Sequence, residues 1–431
     1  VSDRDLDVVV FGATGVTGRQ VAAYLAERAQ ETDIRWAAAA RDASKAARVL
    51  SEAGVSAPET ITADVADAGS LAAMASRARV LLNLVGPYTR YGRPVIEACV
   101  AAGTNYADLT GEIPFVRAII DDFDGPAAAA GIKLVQVCGF EALPPDLAVM
   151  LARETAHERW GEQLASVDLD VAFTPPPGMP RPSDGMSGGT LQSMFAVTGS
   201  ENVQLITDPA ALITDPVPAA AVRRVSPIAL APRRRADGAV IAPMAPAAFI
   251  NPAVIQRSAY LMSSIEDGSA EPFRYWEGLA LSGGTATLPL RWGVAGALSA
   301  SQVALRSLSR ATPALRRRVG GALARIVPSS GFGPAADRLE GWKWAMQVRA
   351  TSTVGNAVEV IVDARGHPGY LATARMLGEL GLLLAEDGAT PERAGCLTPA
   401  VALGTACSER FERAGVRFSV TAPARSAPVR Q

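Results

Sequence analysis

VVVFGATGVTGRQVAAYL, residues Val8–Leu25, joins three local signals in eighteen positions. A β-branched run ends in glycines at Gly12, Gly15 and Gly18, and an amphipathic pattern follows. The order predicts strand, turn and helix, and each glycine has a physical task. Gly12 permits the tight turn, Gly15 lets the backbone approach a pyrophosphate, and Gly18 lets the helix lie close to the sheet. The helix N-terminus then offers unpaired N–H groups and a positive dipole end to phosphates. Thr14 and Thr17 add hydroxyl donors, and Val16 completes the cradle. A glycine-rich turn without a ligand is the bland alternative, and the rhythm that follows argues against it.

Outward from this turn, short apolar runs alternate with helical stretches. Strands are expected at Leu6–Phe11, Ile34–Ala40, Thr60–Asp64, Val80–Val85, Asn105–Leu109 and Lys133–Cys138. Helices are expected at Gly18–Ala29, Ser44–Ala53, Ser70–Ser76, Pro94–Ala102, Phe115–Asp121 and Gly125–Ala130. This is the pattern of an α/β Rossmann fold with a doubly wound parallel sheet. After about Pro145 the rhythm changes. Val167–Phe173, Gln347–Ala350 and Ala357–Ala364 read as strands, with a Pro/Gly-rich loop from Thr174 and a helix at Thr190–Thr198. A second α+β domain with a mixed or antiparallel sheet is therefore expected. Gly369–Glu386 reads as a strong amphipathic helix that returns to the first domain. The resulting organisation is 1–145 dinucleotide-binding, 146–368 substrate domain, 369–420 C-terminal helical segment and 421–431 tail.

The end of the second strand bears on the choice of dinucleotide. NAD-binding folds usually place an acid there for the ribose hydroxyls; this strand ends in Ala40 and Arg41, with Ser44 and Lys45 nearby. An arginine suits a 2′-phosphate, so NADP(H) is the expected cofactor, although Asp42 follows immediately. Asp64 is placed to meet the adenine edge. Asn83, Gly86 and Pro87 end the fourth strand, where the reactive ring would pass.

Composition limits the remaining options. With 431 residues, 49% hydrophobic and 19% charged, the chain can bury a large core. A net charge of −2 gives no general attraction to nucleic acid. Four scattered cysteines and two histidines provide no metal-ligand cluster, and the thiols read as reduced and the compartment as cytoplasmic. No signal peptide is read at the charged start. The uncharged stretch 238–256 approaches a membrane span in length, but Pro243, Pro246 and Pro252 interrupt it. A buried loop or pocket wall is expected there.

Three longer stretches carry a family resemblance. They are GATGVTG, then NLVGPYTRYGRPVIEACVAAGTNYADLTGE, then GFEALPPDLAV, and together they are similar to the saccharopine dehydrogenase-like oxidoreductases. GHPGYLATARMLGELGLLLAEDG and LTPAVALGTACSERFERAGVRFSV resemble the trans-acting enoyl reductase branch of mycobacteria and relatives, and SGGT at Ser187–Thr190 and GFGP at Gly331–Pro334 match in kind. The likeness runs from about Leu6 to Val420 and is loose between about Glu201 and Ile326. It implies a Rossmann domain, a mixed second domain and NADP(H). It also implies reduction of enoyl thioester intermediates carried on polyketide synthases that lack their own reductase, in lipid biosynthesis. The chain departs from the family pattern at His367, in GHPGY, where Asp is usual, and at Glu141, in GFEALPPD, where Asp is usual.

Enoyl reduction needs an oriented hydride, stabilisation of an enolate oxygen and a proton for Cα. Tyr88 and Tyr106 are the candidate catalytic residues, with Tyr91 and Asp108 also in reach of the sheet edge. A tyrosine there equally packs with its hydroxyl satisfied. Glu112, Glu141 and Asp146 either line the pocket or cap helices. The 174–182 loop and the 238–256 stretch offer apolar walls for an acyl chain. Val294–Val327 carries six arginines on helical sequence broken near Pro313. It could dock an acidic acyl carrier protein domain, lie as a peripheral element on the inner membrane face, or be a solvated helix face. Two other readings stay open: a saccharopine reductase-like imine dehydrogenase, and a non-catalytic nucleotide-binding protein at lipid surfaces.

Overall fold

The computed structural model describes residues 4–178, 202–265, 271–324 and 338–422. The expected helix Thr190–Thr198, the SGGT and GFGP motifs, and most of the Pro-rich loop and the tail lie outside them. Strands and helices are numbered here in chain order.

The first sheet contains β1 (Leu6–Phe11), β2 (Trp36–Ala40), β3 (Thr60–Thr62), β4 (Ala78–Asn83), β5 (Asn105–Asp108) and β6 (Lys133–Val135). Its seventh strand, β13 (Gly395–Leu397), comes from the far end of the chain. The order is β13-β6-β5-β4-β1-β2-β3, and every pairing is parallel. β2 reads WAAAA and is buried throughout, as a strand covered on both faces must be. The intervening helices are α1 (Val16–Arg28), α2 (Ala43–Glu52), α3 (Ala68–Arg77), α4 (Tyr88–Ala102) and α5 (Ile113–Ala129). The two helices expected at Phe115–Asp121 and Gly125–Ala130 are this one α5, which runs through Pro126. Only the final turn lies beyond that proline, and the Ala130 N–H closes it on the Pro126 carbonyl.

The second sheet is mixed. It contains β7 (Leu164–Thr174), β8 (Arg233–Arg234), β9 (Val240–Ala242), β10 (Arg274–Leu281), β11 (Lys343–Ser352), β12 (Ala357–Arg365) and β14 (Val416–Thr421). Their order is β14-β12-β11-β7-β10-β9-β8, with β10 parallel to β7 and the other pairings antiparallel. Alternation along β11 and β12 sends Trp344, Met346, Val348, Val358, Val360 and Val362 into the core. On the outer face, buried Asp170 pairs with Arg235 at 2.6 Å and with Arg349.

Helices join the sheets. They are α6 (Leu143–Trp160), α7 (Pro216–Val225), α8 (Ala247–Ile265), α9 (Leu288–Ser309), α10 (Pro313–Ala324), α11 (Thr373–Ala385) and α12 (Pro399–Leu403). The stretch expected to be a loop is instead β9 followed by α8, and Ala247–Ser258 of α8 is buried continuously. A helix buried on all sides is apolar nearly all round and carries few charges, here only Arg257 within Ala247–Ser258, which is why this stretch lacks periodicity. The same applies to α11. It is preceded by a π-helical turn at Pro368–Ala372, and Met376–Ala385 is buried on every side rather than on one face. It packs on α1 and β4, where Tyr24 Oη donates to Glu379 at 2.6 Å.

Several carboxyls are buried in this core. Asp146 accepts from Ser258 and from the Ala400 N–H, and Glu277 accepts from Tyr275 and Asn251. Burial pushes both up to about 7. A carboxyl whose folded value exceeds its unfolded one binds its proton more tightly when folded. The associated stability is full below the unfolded value and is lost as pH rises through about 7. Glu277→Gln keeps an acceptor and cannot ionise. It is therefore expected to gain melting temperature on the wild type as the pH rises from about 5 to about 8. Differential scanning calorimetry across that range checks this; a constant offset would refute it.

Candidate functional site

A cavity of about 520 Å³ opens at the C-terminal edge of the parallel sheet. Its floor is the glycine turn. Gly12 has φ +94°, a left-handed conformation that favours glycine. A Cβ on Gly18 would lie 2.3 Å from the Gly12 carbonyl oxygen, so α1 lies against its own turn. A Cβ on Gly15 would meet only the Gly12 oxygen, at an ordinary 3.4 Å. The space before Gly15 is thus cavity, the position a pyrophosphate needs. Gly15 is also the N-cap of α1, without a side-chain cap, so the first N–H groups of the helix face the cavity unclaimed by a cap.

Gly12, Thr14, Gly15, Val16, Thr17, Gly18, Arg41, Gly86, Pro87 and Tyr88 all line this cavity. Arg41 is exposed at the end of β2 and has no ion-pair partner among the described residues. Asp42 does not compete with it: its carboxylate caps α2, accepting from the Lys45 N–H at 2.8 Å. Ser44 and Lys45 are exposed on α2 and are not part of the lining. Asp64 also stays out of the wall. Its carboxylate closes a turn on the Ala66 N–H, and Val65 takes the lining position.

Asn83 and Tyr106 form a buried chain behind the wall. Asn83 accepts from the Val85 N–H and donates to Tyr106 Oη at 3.0 Å, and Tyr106 donates to Asp108 at 2.8 Å. The expectation of Tyr106 at the cavity is therefore corrected: its ring faces the core and its hydroxyl is spent on Asp108. Tyr88 does border the cavity, but its hydroxyl donates to the Asn83 carbonyl and accepts from the Leu109 N–H. Burial raises both phenols well above their ordinary value, which makes them poor acids. Asp108, pushed up to about 7 by burial, holds the N–H groups of Thr110 and Val137. Val137 has φ +62°, the only described non-glycine residue with positive φ. A β-branched residue held there is strained, and it forms part of the cavity wall.

Two carboxyls reach the wall. Glu112 caps α4, accepting from the N–H groups of Tyr88 and Thr89 and from the Thr89 hydroxyl. Glu141 lies in the loop before α6, and burial raises its carboxyl above the ordinary range. No cation pairs with it among the described residues.

The opposite wall is apolar and comes from residues after position 200. Ile206, Pro246, Phe249, Ile250 and Leu305 form it, and Tyr370 and Thr373 close one end. Among the described residues that line the cavity, Arg41 is the one cation. Sequence reasoning missed Tyr370, Thr373 and Leu305. The GHPGY turn opening a buried helix was the available signal for the first two. Among the described residues no cluster of metal-ligating side chains occurs, and no helix is long and apolar enough to cross a membrane.

A dinucleotide turn, a parallel sheet and a cavity at its C-terminal edge define an NAD(P)-type oxidoreductase. Residues 8–135 match the saccharopine dehydrogenase NADP binding domain, so the cofactor is NADP(H). The whole chain is similar in fold to apo saccharopine dehydrogenase (L-Glu forming) from Saccharomyces cerevisiae. The TM-score is 0.53 and the identity 13%, over 97% of this chain and 100% of that one. Trans-acting enoyl reductases of Mycobacterium leprae and Mycobacterium ulcerans are 34% and 33% identical. The matches cover 97% of this chain and 98% and 99% of those proteins. The chain belongs to the trans-acting enoyl reductase family.

Arg41→Ala is expected to weaken NADPH about tenfold and to leave NADH unchanged, since only the former carries the 2′-phosphate. Fluorescence titration with both nucleotides measures this.

Proposed function

We propose that this protein reduces the carbon–carbon double bond of an enoyl thioester with NADPH, acting in trans on acyl chains carried by an acyl carrier domain of a polyketide synthase in lipid biosynthesis. One observation carries the choice of substrate. The cavity runs from the glycine turn to an apolar wall, and among the described residues its single lining cation, Arg41, stands at the nucleotide end. A saccharopine-like substrate brings α-carboxylates that need convergent cations; an acyl chain needs an apolar wall.

In this reading Gly12, Gly15 and Gly18 with Thr14 and Thr17 hold the pyrophosphate, and Arg41 holds the 2′-phosphate. Bound NADPH supplies the hydride for the β-carbon. The protein must then deliver a proton to the α-carbon and exclude water. Glu141 is our candidate for the acid, because it stands in the cavity wall and burial raises its carboxyl above the ordinary value. Phe249, Ile250 and Leu305 would flank the acyl chain.

The test is NADPH consumption by the purified protein with a 2-enoyl thioester, free and carrier-bound, and mass analysis for the saturated product. Binding of NADPH without turnover of any enoyl thioester would reject the reading. Turnover of an imine bearing α-carboxylates would favour the saccharopine reductase-like alternative.

A further inference from the structure

We infer that the outer face of α9, continued by α10, docks the protein on an anionic lipid surface beside the mouth of the cavity. Among the described residues, five of the ten exposed large apolar side chains lie on this helix pair. They are Leu290 (69% exposed), Trp292 (38%), Val294 (41%), Val303 (39%) and Leu315 (50%). Leu290, Trp292, Val294 and Val303 flank an outward strip of small residues, Gly293, Gly296, Ala297, Ala300 and Ala304. From Trp292 to Leu305 the sequence carries no charge. Arg291, the one cation in the first turns, points inward, donating to the carbonyls of Gly238, Leu281 and Gly284.

The charge pattern decides what covers this face. Between Glu277 and Asp337 the chain has no acidic residue and seven arginines. Arg310 and Arg318 are exposed, and neither they nor Arg306 is ion-paired among the described residues. A wide apolar face followed by Arg306, Arg310 and Arg318, which have no ion-pair partner among the described residues, matches a helix lying in a bilayer interface, its apolar side chains at the acyl boundary and its cations at anionic headgroups. An acidic carrier domain would use the arginines and leave Leu290, Trp292 and Val294 uncovered. The turns at Leu305 connect this face to the site: Leu305 lines the cavity while Val303 and Ala304 face outward. The surface would thus bring the cavity mouth to the place where a long acyl product belongs.

This inference rests on the acyl reading of the cavity, but its test does not require turnover. The full chain is mixed with phosphatidylcholine vesicles, with or without phosphatidylglycerol, and floated in a density gradient. Floating with the phosphatidylglycerol vesicles is expected, falling at least about tenfold in the double variant Leu290→Glu, Val294→Glu. Neither residue lines the cavity, so NADPH affinity, and any turnover of a short soluble enoyl thioester, should be unchanged in that variant. Unchanged NADPH affinity also shows that the variant is folded. No binding to the anionic vesicles, or equal binding by the variant, overturns the proposal. It is equally overturned if the variant instead abolishes self-association, or loses an acidic carrier domain without any vesicle binding by the wild type. Failure of turnover with intact vesicle binding would reject the enzymatic reading and leave the docking surface standing.

Discussion

Gly15→Ala should weaken NADPH at least about tenfold while leaving the melting temperature of the cofactor-free protein nearly unchanged. The reason is where the new methyl goes. Gly15 has φ −70°, which any residue adopts, and its Cβ would meet protein only at an ordinary contact distance. The methyl therefore enters the cavity above the N-terminus of α1, in the space a pyrophosphate needs. Gly18→Ala should do the reverse. Its methyl would lie 2.3 Å from the Gly12 oxygen and 2.9 Å from Ala13 Cα, both backbone atoms that cannot swing aside. Overpacking of this kind costs about 1–3 kcal/mol, so the cofactor-free protein itself should melt lower. Thermal melts with and without NADPH, alongside a fluorescence titration, separate the two. Equal loss of cofactor-free stability in both variants would mean that the turn is only structural.

The contrast also explains what could be read from the sequence. The glycine spacing encodes local backbone geometry, so the turn, β1 and α1 were legible from eighteen residues. The parallel sheet was legible up to β6 because each crossover is local. β13 was not. It is three residues, Gly395–Leu397, and it pairs with Lys133–Val135 across some 260 positions. Nothing in three residues specifies such a partner. Elements buried on all sides misled in a different way. Polarity marks the outer face of a helix, and α8 and the core of α11 have almost no outer face. At α8 the sequence therefore suggests a buried loop or pocket wall, and the wall agrees with Phe249 and Ile250 while the loop does not.

At the site, proximity to the sheet edge was legible but side-chain direction was not. Tyr106 and Asn83 sit at the right strand positions, yet point into the buried chain that ends on Asp108. Along a strand successive side chains alternate faces, and only the tertiary context says which face meets the ligand. Arg41 escaped this ambiguity because it follows the strand end, where Asp42 is occupied as a helix cap.

The proton donor is the point on which the proposed chemistry can fail most informatively. Glu141→Gln is expected to lower kcat on an enoyl thioester by about 10²–10⁴-fold and to leave NADPH affinity unchanged. Glu141→Asp, which keeps the carboxyl, should recover much of that loss. The pH profile provides a second readout. The carboxyl must be protonated to act, and burial raises its folded value. Wild-type activity should therefore hold at low pH and fall as pH rises through that raised value, and Glu141→Gln should lack this descending limb. Tyr88→Phe and Tyr106→Phe make the control. Their hydroxyls are committed to Asn83, Leu109 and Asp108, so their removal should cost stability and less than about tenfold in kcat. A larger kcat loss in Tyr88→Phe than in Glu141→Gln would move the acid to the phenol. The Asn83 carbonyl and the Leu109 N–H would then have to release it when substrate binds.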